Sequence, residues 1–185
     1  MIRSNDIQIV IGSWGSYNEC NERALGSKWI DLSDYESWEE IEEELKKQGF
    51  KLDGIDEELF IQDVENFPSS YINWDYMNPK NFFELLQKAG VLQDKYRYKI
   101  MCAYIDVEGY SSFESRVNDR EDDWDDDIYL YPNYDWYDLG YDLIHDIYGC
   151  NIPDGLDNYI DYKSYGESLR FDGFHEYDGG IIEIR

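Results

Sequence analysis

The sequence predicts an α+β protein made of three small units. Three observations carry this expectation: β-branched, strand-like runs near both ends, amphipathic helical patterns through the middle, and a charge that changes by thirds. Residues 1–66 hold 17 acids against 6 bases, residues 67–118 hold 6 against 6, and residues 119–185 hold 19 against 4. Net charges of −11, 0 and −15 thus place two acidic lobes around a neutral centre. The expected units are an N-terminal α+β domain (1–66), a helical middle domain (67–118) and a C-terminal α+β domain (119–185).

Along the first unit, "IQIVIGSW" (7–14) reads as a strand because β-branched residues crowd it. The polar stretch "GSYNECNERALGS" reads as a loop leading to a second strand, "KWIDL". A helix follows: Ser37 with Glu40 three residues on has the spacing of a capping box. Trp38, Ile41 and Leu45 recur at helical spacing, and Lys46 and Lys47 lie near Gly49 at the end. "ELFIQDVENF" (58–67) alternates like a third strand, giving a small sheet with one helix against it.

In the middle unit, Asn78 before Pro79 starts a helix that carries Phe82, Phe83, Leu85 and Leu86 to Gly90. "DKYRYKIMCAYIDVEG" aligns Tyr96, Ile100, Ala103, Tyr104 and Val107 as a second helix, with a short helical piece near 111–118. The last unit opens with the acidic run "REDDWDDD" and a strand-like "DIYLY". Residues 133–149 fit one helix whose Asp135, Asp138, Asp142 and Asp146 share a face. "LDNYIDYKSYGESL" reads as another helix, and "RFDGFHEY" and "GGIIEIR" as two strands around Gly179 and Gly180.

The chain has 42 Asp and Glu against 16 Lys and Arg, a net charge of −26. That exceeds severalfold the magnitude of roughly 2–8 that keeps a small domain soluble. Such an excess opposes compaction by self-repulsion, so a function that needs a negative surface is expected. The 32 aromatic residues interleaved with the acids separate this chain from disordered acidic tails. Direct nucleic-acid and membrane partners are disfavoured, whereas basic proteins are favoured. The start lacks the pattern of a signal peptide and no apolar run reaches a membrane span, so the expected location is the cytoplasm. Cys20, Cys102 and Cys150 are too scattered for a zinc site and read as reduced, structural thiols.

Carboxylates on successive helical turns stand about 5.4 Å apart, while duplex DNA carries about one charge per 1.7 Å of axis. Several acidic helices side by side approach that density. The chain then reads as a decoy that fills the basic groove of a DNA-binding enzyme. The carboxylates assigned to this role are Glu36, Glu39, Glu40 and Glu43; Asp122, Asp123, Asp125, Asp126 and Asp127; and Asp135, Asp138, Asp142 and Asp146. A solvated helix face is the plain alternative for any one stripe. Calcium binding by Asp123, Asp125 and Asp127 matches positions 1, 3 and 5 of an EF-hand loop, but Ile128 stands at its glycine position and Tyr134 at its glutamate position. Among 42 acids no pair is singled out for acid/base catalysis, and His145 and His175 read as structural. There is no phosphate-binding glycine loop, metalloprotease motif or nucleophile elbow. The expectation is no enzyme, no metal and no cofactor.

The opening "IQIVIGSWGSYNECNERALGSKWIDLSDY", through Tyr17, Asn18, Gly26 and Trp29, resembles the start of ArdA-type antirestriction proteins. The closing "LDNYIDYKSYGESLRFDG", through Tyr159, Asp161, Tyr162, Tyr165 and Gly166, is similar to the end of that family. The acidic run and the middle helices lie outside both matches. The resemblance implies an elongated three-domain protein that pairs as a homodimer imitating bent DNA. It also implies inhibition of type I restriction-modification enzymes at the DNA groove of their specificity and methyltransferase core, inside the bacterial host. Another DNA-binding defence protein, such as a CRISPR effector, offers a comparable groove. Two chains carry 84 carboxylates and a net −52, the charge of roughly 42 and 26 base pairs respectively. The neutral middle departs from continuous mimicry: Lys80, Lys88, Lys95, Arg97 and Lys99 must pair locally or face away from the target.

Overall fold

Antiparallel pairing in two separate places organises the chain, as seen in a computed structural model that describes residues 6–68, 72–149, 151–153 and 155–185. β1 (Gln8–Ser13) is the central strand of the first sheet, between β2 (Ile30–Asp31) and β3 (Leu59–Glu65). Its position explains the unbroken run of buried residues from Ile9 to Ser13: a central strand covered on both faces has no solvent side to alternate with. The second sheet repeats this logic, with β6 (Gly180–Ile184) between β4 (Ile128–Pro132) and β5 (Phe174–Tyr177). These sheets and the helices make the protein α+β. The expectation for Cys150 falls outside the described residues.

The chain divides into two compact units, residues 1–102 with 110–124 and residues 103–109 with 125–185. In the first, the expected loop after β1 begins as a helix, α1 (Trp14–Glu19). Ser13 caps it by accepting from the Ser16 N–H, and Cys20 ends it in the left-handed region at φ 51°. The strand expected over 28–32 is confined to two residues, Ile30 and Asp31. α2 (Trp38–Lys47) has the expected apolar side, with Trp38, Ile41 and Leu45 buried. Its expected capping box is not formed: Ser37 makes no side-chain cap, and Glu40 Oε2 accepts instead from the Glu36 N–H at 2.8 Å.

α3 (Pro79–Lys88) starts as expected, with Asn78 accepting from the Asn81 N–H at 3.1 Å. α4 (Lys95–Glu108) follows, and α5 (Tyr110–Arg120) extends the short expected piece. Phe67, Trp74 and Phe82 meet edge to face with centroids 5.1 to 5.7 Å apart. Trp124 is fully buried, 5.2 Å from Phe113, and its Nε1–H donates to the Ala89 carbonyl at 2.8 Å.

In the second unit, α6 (Trp136–Asp142) and α7 (Tyr162–Ser168) cross at glycines. A Cβ on Gly140 would stand 2.0 Å from the Tyr162 carbonyl oxygen, and one on Gly166 1.9 Å from that of Trp136. Trp136, Leu139, Leu143, Leu169, Phe174 and Ile181 form the core beneath them. The helix expected over 133–149 is α-helical only to Asp142 and continues as a π-helical turn, Leu143–Ile147. There the Tyr148 N–H donates to the Leu143 carbonyl at 2.8 Å, five residues back. The helix expected over 156–169 is likewise divided into a 3₁₀ turn, Asp157–Tyr159, and α7, because Asp161 caps α7 by accepting from the Ser164 N–H at 3.0 Å.

Candidate acidic interface

Of the 40 Asp and Glu side chains described, 31 are exposed and two are buried, Asp56 and Glu183. The exposed set includes eleven of the thirteen carboxylates that the sequence singles out; Asp125 and Asp142 are half-buried. α2 shows how the helix sorts its acids. Trp38 Nε1 donates to Glu42 and Gln48 Nε2 to Glu44, at 2.8 and 3.0 Å, so these two brace the helix. Glu36, Glu39, Glu40 and Glu43 face solvent. Lys46 lies 3.2 Å from Glu43, and that hydrogen bond raises the Lys46 pKa.

Crowded charge in the acidic run is held in place by buried anchors and by cations of the neutral segment. Glu121, Asp122 and Asp123 form an exposed 3₁₀ turn just before buried Trp124. Arg97 donates to the backbone carbonyl of Asp122 at 2.7 Å, Arg116 to that of Trp124 at 2.6 Å, and Lys88 lies 3.9 Å from the Glu121 carboxylate. Lys80 pairs with Glu84 at 3.8 Å. Four of these cations therefore act locally, while Lys95 and Lys99 are exposed. Asp126 and Asp127 face solvent in the second unit, just before buried Ile128. The five aspartates between 122 and 127 are thus divided: Asp122 and Asp123 belong to the first unit, Asp125, Asp126 and Asp127 to the second.

On α6 the four expected aspartates have different duties. Asp135 lies outside the helix as its cap, accepting from the Tyr137 and Asp138 N–H groups, and Asp138 accepts from the Asp135 N–H at 3.1 Å. Asp142 accepts from the Tyr134 hydroxyl. Asp146 stands exposed on the π-helical turn. The Tyr134 phenol pKa is raised first by the Asp142 hydrogen bond, then by desolvation and the charges of Asp142, Asp138 and Asp146. A single α-helical stripe is the wrong geometry, because the cap removes Asp135 from the helix and the π turn changes the phase before Asp146.

Beside these aspartates lies a feature that the sequence reading misses. Tyr137, Tyr141 and His145 recur every four residues and form a row of rings, with Tyr137 and Tyr141 partly exposed. Its sequence signal is plain spacing, overshadowed by the neighbouring acids. Among the described residues, no group of three or more His, Cys, Asp or Glu side chains is arranged to hold a metal ion, and no helix is long and apolar enough to cross a membrane.

The model of the antirestriction protein (ArdA) family matches residues 9–183. No curated protein matches the chain.

Proposed function

Because the chain belongs to the ArdA antirestriction protein family, we propose that it inhibits type I restriction-modification enzymes as a DNA decoy, without catalysis. The observation that carries this reading is the outward display of 31 of the 40 described carboxylates on a chain of net charge −26. A restriction enzyme must bind DNA phosphates with a basic groove, and a polyanion that enters it displaces the anions held around the groove's cations. Exposed carboxylates reproduce that term without reading a base. In this reading Asp122, Asp123, Asp126, Asp127 and the α2 acids supply charge, while the cap residues Asp135 and Asp138 supply both charge and helix order. The three charge segments, 1–66, 67–118 and 119–185, are its functional division, and a homodimer would double the decoy's charge. The same reading places its action in the cytoplasm of a bacterial host.

A plasmid-cleavage assay with a purified type I enzyme tests it. Inhibition should be stoichiometric and should be relieved by added unmodified duplex. Any one exposed carboxylate changed to its amide should weaken inhibition by less than about fivefold, as exposed ion pairs do. The block D122N/D123N/D126N/D127N should weaken it by at least about tenfold, the sum of several exposed charge contacts, and make it less sensitive to salt. Loss of inhibition from a single such substitution in a folded chain would point to a discrete active site and overturn the decoy.

A further inference from the structure

The second unit contains 17 acids and three bases, Lys163, Arg170 and Arg185, and all three bases are engaged within it. Lys163 pairs with Glu167 at 3.9 Å. The Arg170 guanidinium sits 4.7 Å over the Trp136 ring and 3.7 Å from Glu176. The Arg185 guanidinium sits 5.1 Å over Tyr129 and donates to Glu183. Twice, then, this fold seats a guanidinium between an aromatic face and a carboxylate.

The row on α6 also sets aromatic faces close to carboxylates, while the three bases of the second unit are engaged elsewhere in it. The rings of Tyr137 and Tyr141 are 6.3 Å apart and 20° from parallel, and that of His145 lies 4.3 Å from Tyr141. Buried Tyr162 supports both tyrosines edge-on at 5.7 and 5.1 Å. Its hydroxyl donates to Asp157 and lies 2.7 Å from His145 Nε2. The rings are therefore fixed from behind while remaining 48% and 38% exposed. Asp138 precedes Tyr141 by three residues within α6, the spacing of neighbours on a helix surface.

We propose that Tyr137 and Tyr141, with Asp138 and Asp142 beside them, form a docking surface for arginine side chains of a basic protein partner. A guanidinium is planar and weakly hydrated, so it can stack on a ring while its N–H groups reach a carboxylate; a lysine ammonium keeps its water and loses the stacking. Rings already held by Tyr162 lose little side-chain freedom on binding. Arginine, rather than positive charge in general, is the recognised group. The natural partner follows from the decoy reading, whereas the recognition itself is measurable without a restriction enzyme.

Calorimetric titration of the full chain with ten-residue oligo-arginine and oligo-lysine peptides at equal ionic strength tests the proposal. The wild-type chain should bind oligo-arginine more tightly. Y137L/Y141L, which leaves the charge unaltered, should lose about five- to tenfold of that affinity from two exposed cation–π contacts and keep its affinity for oligo-lysine. Y137F/Y141F should behave like wild type. Retained oligo-lysine binding reports a folded surface, and Tyr137→Leu alone, the more exposed position, repeats the measurement with less disturbance. An arginine-to-lysine affinity ratio that is the same in the leucine variants as in wild type, or that falls equally in the phenylalanine variant, overturns the proposal. A normal ratio without inhibition of cleavage would instead reject the decoy reading alone.

Discussion

Asp56 is 1% exposed, so unlike almost every other carboxylate it must obtain its solvation from the protein. Its oxygens accept from the Ser16 hydroxyl and from the Lys51 N–H, the latter at 2.8 Å. Desolvation pushes its pKa up, but the hydrogen bonds from Lys51, Ser16 and Ser13 outweigh that and leave it below the usual carboxylate value. A depressed folded pKa means a contribution that is fully present above the unfolded value of about 3.9 and is lost as pH falls through the lower folded value. Asp56→Asn should therefore cost roughly 1–3 kcal/mol at pH 7, because a buried donor loses its acceptor. The variant should also lose less stability than wild type between pH 5 and 2. Urea melts at both ends of that range decide it, and parallel pH curves would show that Asp56 does not titrate with folding. Nothing in "GIDEEL" marks Asp56 off from exposed Glu57 and Glu58. The difference arises only when α1 brings Ser16 against it.

At the scale of elements, the crossing of α6 and α7 depends on two glycines whose missing side chains let backbone meet backbone. The atoms a Cβ would strike at Gly140 and Gly166 are carbonyl oxygens, which cannot swing aside like a side-chain end. Gly166→Ala should therefore destabilise the protein by at least the roughly 1–3 kcal/mol typical of overpacking. Gly54→Ala, whose Cβ would meet nothing closer than 3.7 Å, should not. Thermal melts of the two variants side by side measure this, and equal melting temperatures would mean that the helices separate without cost. Elements with a long apolar period were legible in the sequence: β1, β3, α2, α3 and α4 follow β-branched or helical spacing directly. Others depended on local hydrogen bonds that no periodicity encodes. Ser13 capped a stretch too polar to suggest α1, Asp161 interrupted what reads as one helix, and the π turn after Asp142 altered a regular acidic spacing.

For the whole molecule, charge was the most legible property, because composition adds up regardless of fold; which carboxylates face inward was not, since Asp56 and Glu183 are met by Ser16 and Tyr131, partners far away in the sequence. The same excess charge sets a final prediction. Salt weakens both the repulsion among exposed acids and the attraction in surface pairs such as Lys46 with Glu43 or Lys163 with Glu167. Exposed pairs contribute little, and 16 bases cannot pair 42 acids, so relief of repulsion must dominate. The melting temperature should rise with potassium chloride, most steeply up to about 0.1 M, where the screening length has fallen to about 10 Å. The rise should also be uneven. The first unit holds 25 acids against 13 bases, whereas the second, with 17 against 3, reaches a larger net charge in a shorter chain. Amides of β6 should therefore gain more protection from hydrogen exchange with added salt than amides of β1. A melting temperature that falls with salt, or equal gains in both strands, would mean that repulsion is already compensated locally, as it is around Arg97 and Arg116.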